Sequence, residues 1–226
     1  MIQISLAPEV INLGVHIAYS IVEDVVVEKD RADVIEYARK LAKKLREQYT
    51  IERLKEHPII RAYRDFYWRI KIDPTKTRPS SEALLRRVLR SGNIPLINNV
   101  VDSGNFASLE TLIPIGLYDL DKIKGNLVIK LARGNELFEP IGKRPEIVRE
   151  GVPILVDSEK VIHLYPHRDS AKTAITLDTK RVLVIACGVP GVPATLVKEA
   201  ALKTSKYIEM FAQGKMTYGI IYVREW

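Results

Sequence analysis

Residues 95–119 carry a dense group of side chains that could bind a polar ligand. Five polar side chains fall within eight residues of this otherwise apolar stretch: Asn98, Asn99, Asp102, Ser103 and Asn105. A buried amide or carboxylate costs free energy unless each of its hydrogen-bonding atoms finds a partner. The cluster therefore predicts one of two arrangements. Either these side chains brace a turn from within, or they line a pocket that presents donors and acceptors to a ligand.

Two further segments offer groups that could face such a pocket. One is the polar run from His167 through Arg168, Asp169 and Ser170 to Lys172 and Thr173, between two predicted strands. It is typical either of a pocket wall or of a hydrogen-bonded hairpin turn. The other runs from Gly188 to Gly191, just before Pro193, which is predicted to open a helix. Backbone amides there could hold an anion or a carbonyl oxygen, or the glycines could simply turn the chain.

Familiar catalytic motifs are absent from the sequence. It contains no G-x-S-x-G elbow, P-loop or G-x-G-x-x-G motif. His163 and His167 would face one metal only on a helix, and Pro166 together with the apolar alternation argues against a helix. We therefore predict neither a metal nor a cofactor. Cys187 ends an apolar run and is predicted to be a small core residue.

The positive charge of the chain is unevenly distributed. Residues 31–90 contain 17 Lys and Arg against 8 Asp and Glu, a net charge of +9, whereas the remaining residues sum to −2. Such a region favours a phosphate-bearing partner, although a solvated helical surface has the same composition. Aromatic residues between arginines can stack on RNA bases. The spacing of Tyr63, Phe66 and Tyr67 instead predicts that these three rings pack in the core.

Hydrophobic periodicity predicts an α+β fold with one core. Strands are predicted within residues 1–28 and at 127–131, 137–141, 154–156, 161–164, 173–177, 182–186 and 218–223. Helices are predicted at 30–48, 58–68 and 193–211, and from a cap at Ser80 or Ser81 to a stop at Gly92. No apolar run approaches the roughly 20 residues of a membrane span, and the start lacks a secretory pattern. With a single cysteine, these features predict a cytoplasmic protein without a membrane partner.

The segment PLINNVVDSGNFASLETLIPIGLYDLDKIKG resembles the B3/B4 editing domain of the phenylalanyl-tRNA synthetase beta subunit. The resemblance lies in a proline before paired asparagines, an aspartate, an Asn-aromatic step and a Pro-x-x-x-aromatic-Asp stretch. The matching residues are Pro95, Asn98, Asn99, Val100, Val101, Asp102, Asn105, Phe106, Pro114, Tyr118 and Asp119. The turn at Arg168 and the helix from Ser81 are similar to those of free-standing members of the family.

The resemblance implies a mixed-sheet single domain with flanking helices over residues 61–226. Residues 1–60 would add strands and a basic helix packed on that domain. Because the synthetase domain hydrolyses the ester of tyrosine wrongly attached to phenylalanine tRNA, the resemblance implies an aminoacyl-tRNA deacylase that acts in trans. Its partners would be tRNA and a small amino acid or aminoacyl ester, with no DNA.

The same resemblance implies roles for individual residues. The aminoacyl pocket would contain Asn98, Asn99, Asp102, Asn105, Arg168, Asp169, Thr173, Gly188 and Gly191. Independently of the resemblance, the basic charge of the helices within residues 31–90 predicts that they meet the tRNA backbone, through Lys40, Lys43, Lys44, Arg86 and Arg87. Asp102 and His167 are the candidates for a general base, and the backbone near Gly188–Gly191 is the candidate for stabilising an oxyanion.

Three departures separate this chain from the synthetase pattern. The synthetase has threonine, histidine and glutamate at the positions of Gly104, Gly116 and Val192 or Pro193. Because a pocket recognises a substrate hydroxyl through such side chains, tyrosine specificity is not expected here. Two alternatives stay open: a non-catalytic module that binds tRNA or an amino acid, and an enzyme that acts on another small amide or ester without RNA.

Overall fold

The protein is built from two packed β-sheets and seven α-helices, as seen in a computed structural model that describes residues 2–224. The strands are β1 (Ile4–Leu6), β2 (His16–Glu23), β3 (Ile115–Asp119), β4 (Leu127–Leu131), β5 (Leu137–Phe138), β6 (Glu146–Ile147), β7 (Pro153–Val156), β8 (Val161–Leu164), β9 (Arg168–Asp169), β10 (Val182–Gly188) and β11 (Lys215–Val223). The helices are α1 (Pro8–Asn12), α2 (Ala32–Gln48), α3 (Ile51–Leu54), α4 (Pro58–Arg69), α5 (Ser80–Ser91), α6 (Asn99–Thr111) and α7 (Ala194–Ala212).

The larger sheet has the order β1-β4-β7-β8-β9, and the smaller has the order β11-β2-β10-β3. β1 runs parallel to β4, whereas the other neighbours in both sheets are antiparallel. Strands β5 and β6 form a separate two-stranded ribbon. The α+β class with mixed sheets, predicted from the sequence, is confirmed.

The main core lies between the two sheets. Alternate residues of β2, among them Ile17, Tyr19 and Ile21, share this core with Leu127 and Leu155 of the larger sheet. The opposite face of β2 meets α7, where the Ser20 and Ser205 hydroxyls are 2.7 Å apart. Because both faces of β2 and β10 are covered, these strands are almost entirely buried. This explains why β10 is an unbroken apolar run rather than an alternating one.

The helical half of the molecule has its own core. The apolar stripe of α2, represented by Leu41 and Leu45, packs with Leu85 and Val88 of α5 and with residues of α4, α6 and α7. The charged side chains of α2 remain outside. Tyr63, Phe66 and Tyr67 of α4 are buried, as their spacing predicts, and Trp68 is exposed. None of the described helices is long and apolar enough to cross a bilayer.

Several element predictions were wrong in detail. α5 starts after Pro79, so Ser80 and Ser81 are its first residues and neither caps it, while Gly92 ends it in a left-handed conformation as expected. Residues 174–177 pair with no described strand, because the Thr179 hydroxyl accepts a hydrogen bond from the Thr176 amide and turns the chain. The strand predicted at 137–141 ends at Phe138. Helix α6 was not predicted at all.

Residues 1–60 contribute strands to both sheets of the fold. β1 pairs with β4, and β2 lies between β11 and β10, so both sheets take a strand from this part of the chain. The proposed division at residue 60 stays a prediction, and Met1, Glu225 and Trp226 of the proposed ranges lie outside the described residues.

Candidate functional site

The polar cluster at residues 98–105 begins helix α6. The Asn98 side chain accepts a hydrogen bond from the Val101 amide at 2.9 Å and so caps the helix. The Asp102 carboxylate accepts from the Ile97 amide at 2.9 Å, and the Ser103 hydroxyl donates to the Asn99 carbonyl at 2.6 Å. These contacts match the bracing arrangement, because the hydrogen bonds of the side chains are made within the protein. Asn105, one helical turn further on, is half-buried.

Asn99 connects three segments through its buried amide group. Its Nδ2 donates to the carbonyls of Val26 and Phe211 at 2.8 and 2.9 Å, and its Oδ1 accepts from the Glu28 amide at 2.8 Å. The amide therefore joins the chain that follows β2, the start of α6 and the end of α7.

Asp102 is the most electrostatically perturbed member of the cluster. Burial raises the pKa of its carboxyl to about 7. Asp102 and Asn99 help to line a cavity of 20 Å³ beside Arg31. That volume holds about one water molecule, which is too little for an amino acid.

A different group of polar side chains meets at the hairpin formed by β8 and β9. The register of this hairpin sets His163 opposite Asp169. The His163 Nδ1 atom lies 2.8 Å from a carboxylate oxygen of Asp169. This contact favours the tautomer in which Nδ1–H donates to Asp169, so that Nε2 keeps its lone pair. The Nε2 atom is buried and has no hydrogen-bond partner among the described residues.

Further buried polar atoms have no hydrogen-bond partner among the described residues: the Tyr67 hydroxyl, the His167 Nδ1 atom and the Thr173 hydroxyl. The Tyr118 hydroxyl is buried as well and interacts with the Asp169 carboxylate. The Tyr118 ring contacts the His163 ring, and the Tyr67 ring contacts the His167 ring, with centroid distances of 6.2 and 5.8 Å. We call the set His163, Asp169, Tyr67, Tyr118 and His167 the buried polar cluster. Such a concentration is unusual, because most buried polar atoms of proteins are hydrogen-bonded.

The charge states within the buried polar cluster follow from its burial. Burial, and after it the nearby Asp169 carboxylate, raises the pKa of Tyr118, so its hydroxyl stays protonated. Burial lowers the pKa of His167 to about 3, so its imidazole is neutral near pH 7. A conjugate acid with that pKa makes His167 a weak general base.

Glycines of the predicted site allow close approach of neighbouring rings. A Cβ atom at Gly116 would overlap the Tyr118 hydroxyl, so Tyr118 fills the space beside that glycine. A Cβ atom at Gly188, the last residue of β10, would overlap the His16 ring. Gly191 has a φ of +86° in the turn that leads to Pro193 and α7.

Arg168 belongs to a cleft on the surface above the β8–β9 hairpin. Its guanidinium pairs with Glu146 and lies 5.8 Å from the Phe138 ring centroid. Arg168 and His167 help to line this cleft, which has a volume of 670 Å³. Asp102 and Arg168 therefore line different cavities. The residues predicted for one aminoacyl pocket fall in three places: at the start of α6, around the β8–β9 hairpin, and in the segment that leads from β10 to α7.

The residues predicted to contact tRNA lie on two neighbouring helices. Lys40, Lys43 and Lys44 are exposed on α2, and Lys40 pairs with Glu36 at 2.5 Å. On α5, Arg87 is exposed. Arg86 instead pairs with the fully buried carboxylate of Glu82 at 2.7 Å, so much of its charge is used inside the protein.

The pairing of His163 with Asp169 could not be found from motif spacing. The sequence pattern relates His163 only to His167, as a metal pair that the strand and turn at this place rule out. The available signal was the register of the hairpin, which sets His163 opposite Asp169, six positions further along the chain. No group of three or more possible metal ligands occurs within residues 2–224.

Comparison with known proteins adds the family to this geometry. The model of the B3/4 domain matches residues 62–210. This chain belongs to the B3/4 domain family. The phenylalanine–tRNA ligase beta subunit of Fusobacterium nucleatum is 30% identical over 140 residues, which cover 62% of this chain and 16% of the relative. The corresponding subunit of Symbiobacterium thermophilum is 28% identical over 116 residues, which cover 51% of this chain and 12% of the relative.

A solved structure shares the fold over nearly the whole chain. An N-terminal fragment of the phenylalanyl-tRNA synthetase beta subunit from Pyrococcus horikoshii superimposes with a TM-score of 0.52 at 18% identity. The match covers 95% of this chain and 50% of that fragment. The B3/4 chain thus spans less than one fifth of the two ligase subunits, and about half of the solved fragment.

Proposed function

We propose that this B3/4 protein binds aminoacyl-tRNA and hydrolyses the ester between the amino acid and the tRNA, acting in trans in the cytoplasm. Similarity to phenylalanine–tRNA ligase beta subunits supports an association with tRNA aminoacylation. The observation that carries the hydrolytic part is the 2.8 Å contact between His163 Nδ1 and Asp169, which leaves Nε2 without a described partner. An imidazole oriented in this way by a carboxylate is a suitable general base.

In this mechanism His163 moves a proton twice. A water molecule gives a proton to Nε2 while its oxygen bonds to the ester carbonyl carbon. The tetrahedral intermediate then collapses, the bond to the ribose oxygen breaks, and that oxygen takes the proton back from Nε2. Asp169 keeps the hydrogen bond from Nδ1 and stabilises the imidazolium. The Tyr118 hydroxyl, buried beside His163 and still protonated, lies next to the Asp169 carboxylate and would help to hold it against the imidazole.

The test is a deacylation assay with a panel of mischarged tRNAs and the whole chain. The informative variant is His163→Asn, because the asparagine Nδ2–H can still donate to Asp169 while the Nε2 position is lost. We expect this variant to retain its fold and to lower the hydrolysis rate by about 10²- to 10⁴-fold. A wild-type rate no higher than the uncatalysed rate for every tRNA, or an unaffected variant, rules the mechanism out.

A second candidate is binding of tRNA or an amino acid without hydrolysis. The burial of the proposed general base favours this candidate. His163 is only 4% exposed, and Tyr118 fills the space beside Gly116. In this conformation His163 is not accessible to a substrate, so neighbouring side chains would have to move before a substrate could reach it. This candidate predicts saturable binding of tRNA or a free amino acid by calorimetry, with no ester cleavage.

A further inference from the structure

A continuous groove with basic walls crosses the surface beside the buried polar cluster, and His167 of that cluster helps to line it. Three adjoining clefts form it, with volumes of 560, 670 and 420 Å³. Lys71 and Arg149 line both the first and the second cleft. Lys76 and Arg78 line both the second and the third. We call the three connected clefts the basic groove.

The charge of the basic groove is strongly one-sided. Ten Lys and Arg residues line it, against three Asp and Glu residues. Two of the arginines are half-buried and already paired, Arg86 with Glu82 and Arg168 with Glu146. The other eight are exposed, and none forms a salt bridge with a described residue. Apart from Arg149, whose guanidinium donates to two backbone carbonyls, the exposed charges are therefore available to a partner.

Local hydrogen bonds hold the groove in shape. Asp73 accepts from the amide and the hydroxyl of Thr75 at 2.8 and 2.6 Å, which fixes the turn that carries Lys76 and Arg78. The same bonds lower the pKa of Asp73, because its carboxylate accepts the hydrogen bonds that form the turn. Arg149 donates to the carbonyls of Ile70 and Lys71 at 2.8 and 2.9 Å and ties the opposite wall to the end of α4.

We propose that the basic groove binds the sugar-phosphate backbone of RNA. A linear polyanion fits a concave track of like charges, whereas a flat bilayer would touch only its rims. The choice of RNA rests on the function proposed above, and the groove gives that RNA a defined path. The path includes Arg87 but differs from the exposed lysines of α2, because Lys40, Lys43 and Lys44 line none of the three clefts.

The experiment compares two triple variants that remove the same charge. The groove variant is Lys76→Gln/Arg78→Gln/Arg87→Gln, and the matched control is Lys40→Gln/Lys43→Gln/Lys44→Gln. All six side chains are exposed, so neither variant should disturb the core. Dissociation constants for unacylated tRNA are measured by fluorescence anisotropy at several salt concentrations. We expect the groove variant to weaken binding by about 10- to 100-fold and to reduce the salt slope by about 2. The control should change affinity less than about 3-fold.

The outcomes separate this inference from the proposed hydrolysis. Weak binding by the groove variant supports the groove even if the wild-type protein cleaves no ester. If His163→Asn stops hydrolysis but the groove variant binds tRNA normally, the mechanism stands and the groove is wrong. An equal or larger loss in the α2 control also overturns the groove and moves the RNA contact to α2.

Discussion

The burial of Asp102 is expected to make the stability of the fold depend on pH. Its pKa rises from 3.8 to about 7 because it is buried. A group whose pKa is raised by folding stabilises the fold below its unfolded pKa, and this contribution is lost as the pH rises through the folded value. Asp102→Asn removes the titration and keeps an oxygen for the Ile97 amide. We expect the variant to exceed the wild type in free energy of unfolding by about 2–4 kcal/mol at pH 8.

Urea denaturation of both proteins between pH 4 and pH 8 measures this difference. Asp73→Asn is the matched control, because hydrogen bonds from Thr75 lower rather than raise the pKa of Asp73. Its stabilising contribution is present above the unfolded pKa and is lost only as the pH falls through the lower folded pKa, so the stability difference at Asp73 should change little between pH 4 and pH 8. A stability difference at Asp102 that stays constant across this pH range would contradict the prediction.

The sequence indicates that these polar side chains need hydrogen-bond partners, but it does not identify the partners. The sequence predicts that the polar cluster at residues 98–105 either braces a turn or lines a pocket, and its members Asn98, Asn99, Asp102 and Ser103 make hydrogen bonds within the protein. Its partners include Val26, Glu28 and Phe211, which are distant in sequence and are brought near by tertiary packing. Likewise His163 becomes a candidate base only once the hairpin register sets it opposite Asp169. Neither set of contacts follows from the spacing of a motif in the sequence.

At the level of elements, Asn99 stabilises the junction of α6 with α7 and the chain after β2. Asn99→Leu has a similar volume but leaves the Val26 and Phe211 carbonyls and the Glu28 amide without their partner. Because unpartnered buried groups are costly, we expect a loss of about 2–4 kcal/mol in the free energy of unfolding.

The control for Asn99 is its neighbour. Asn98→Ser keeps an oxygen acceptor at the helix cap, so a loss below about 1 kcal/mol is expected. Urea denaturation at one pH compares the two variants. Equal losses would mean that Asn99 acts only as part of the helix start and not as a link between elements.

The elements that could be predicted from the sequence are those with one buried face and one solvent-exposed face. Helices α2, α4, α5 and α7 repeat apolar residues at helical spacing, and each was predicted within a few residues. Helix α6 is buried over most of its surface and rich in Asn, Gly and Ser, so it lacks both amphipathic period and strong helix formers. Residues 173–177 have β-branched composition but no neighbouring strand, and composition alone does not supply one.

Across the whole molecule, the sheets join the two ends of the chain to its middle. β2 from the first quarter lies between β10 and β11 from the last quarter, and β1 extends the larger sheet through β4. The family match begins at residue 62, so the segment with family-specific sequence is shorter than the unit that closes the sheets. The family match and the strand pairing of the two sheets thus have different boundaries in this chain.

The whole-molecule prediction is that residues 61–226 do not fold alone. Without β2, the edges of β10 and β11 are left unpaired and the core between the sheets loses Ile17, Tyr19 and Ile21. Circular dichroism should show one cooperative thermal transition for the whole chain and none for the 61–226 fragment. Co-expression of residues 1–60 with that fragment is the control, because it restores both strands without the covalent link. A cooperative transition of the isolated fragment would instead establish residue 60 as a true domain boundary, with the first two strands an addition to a complete core.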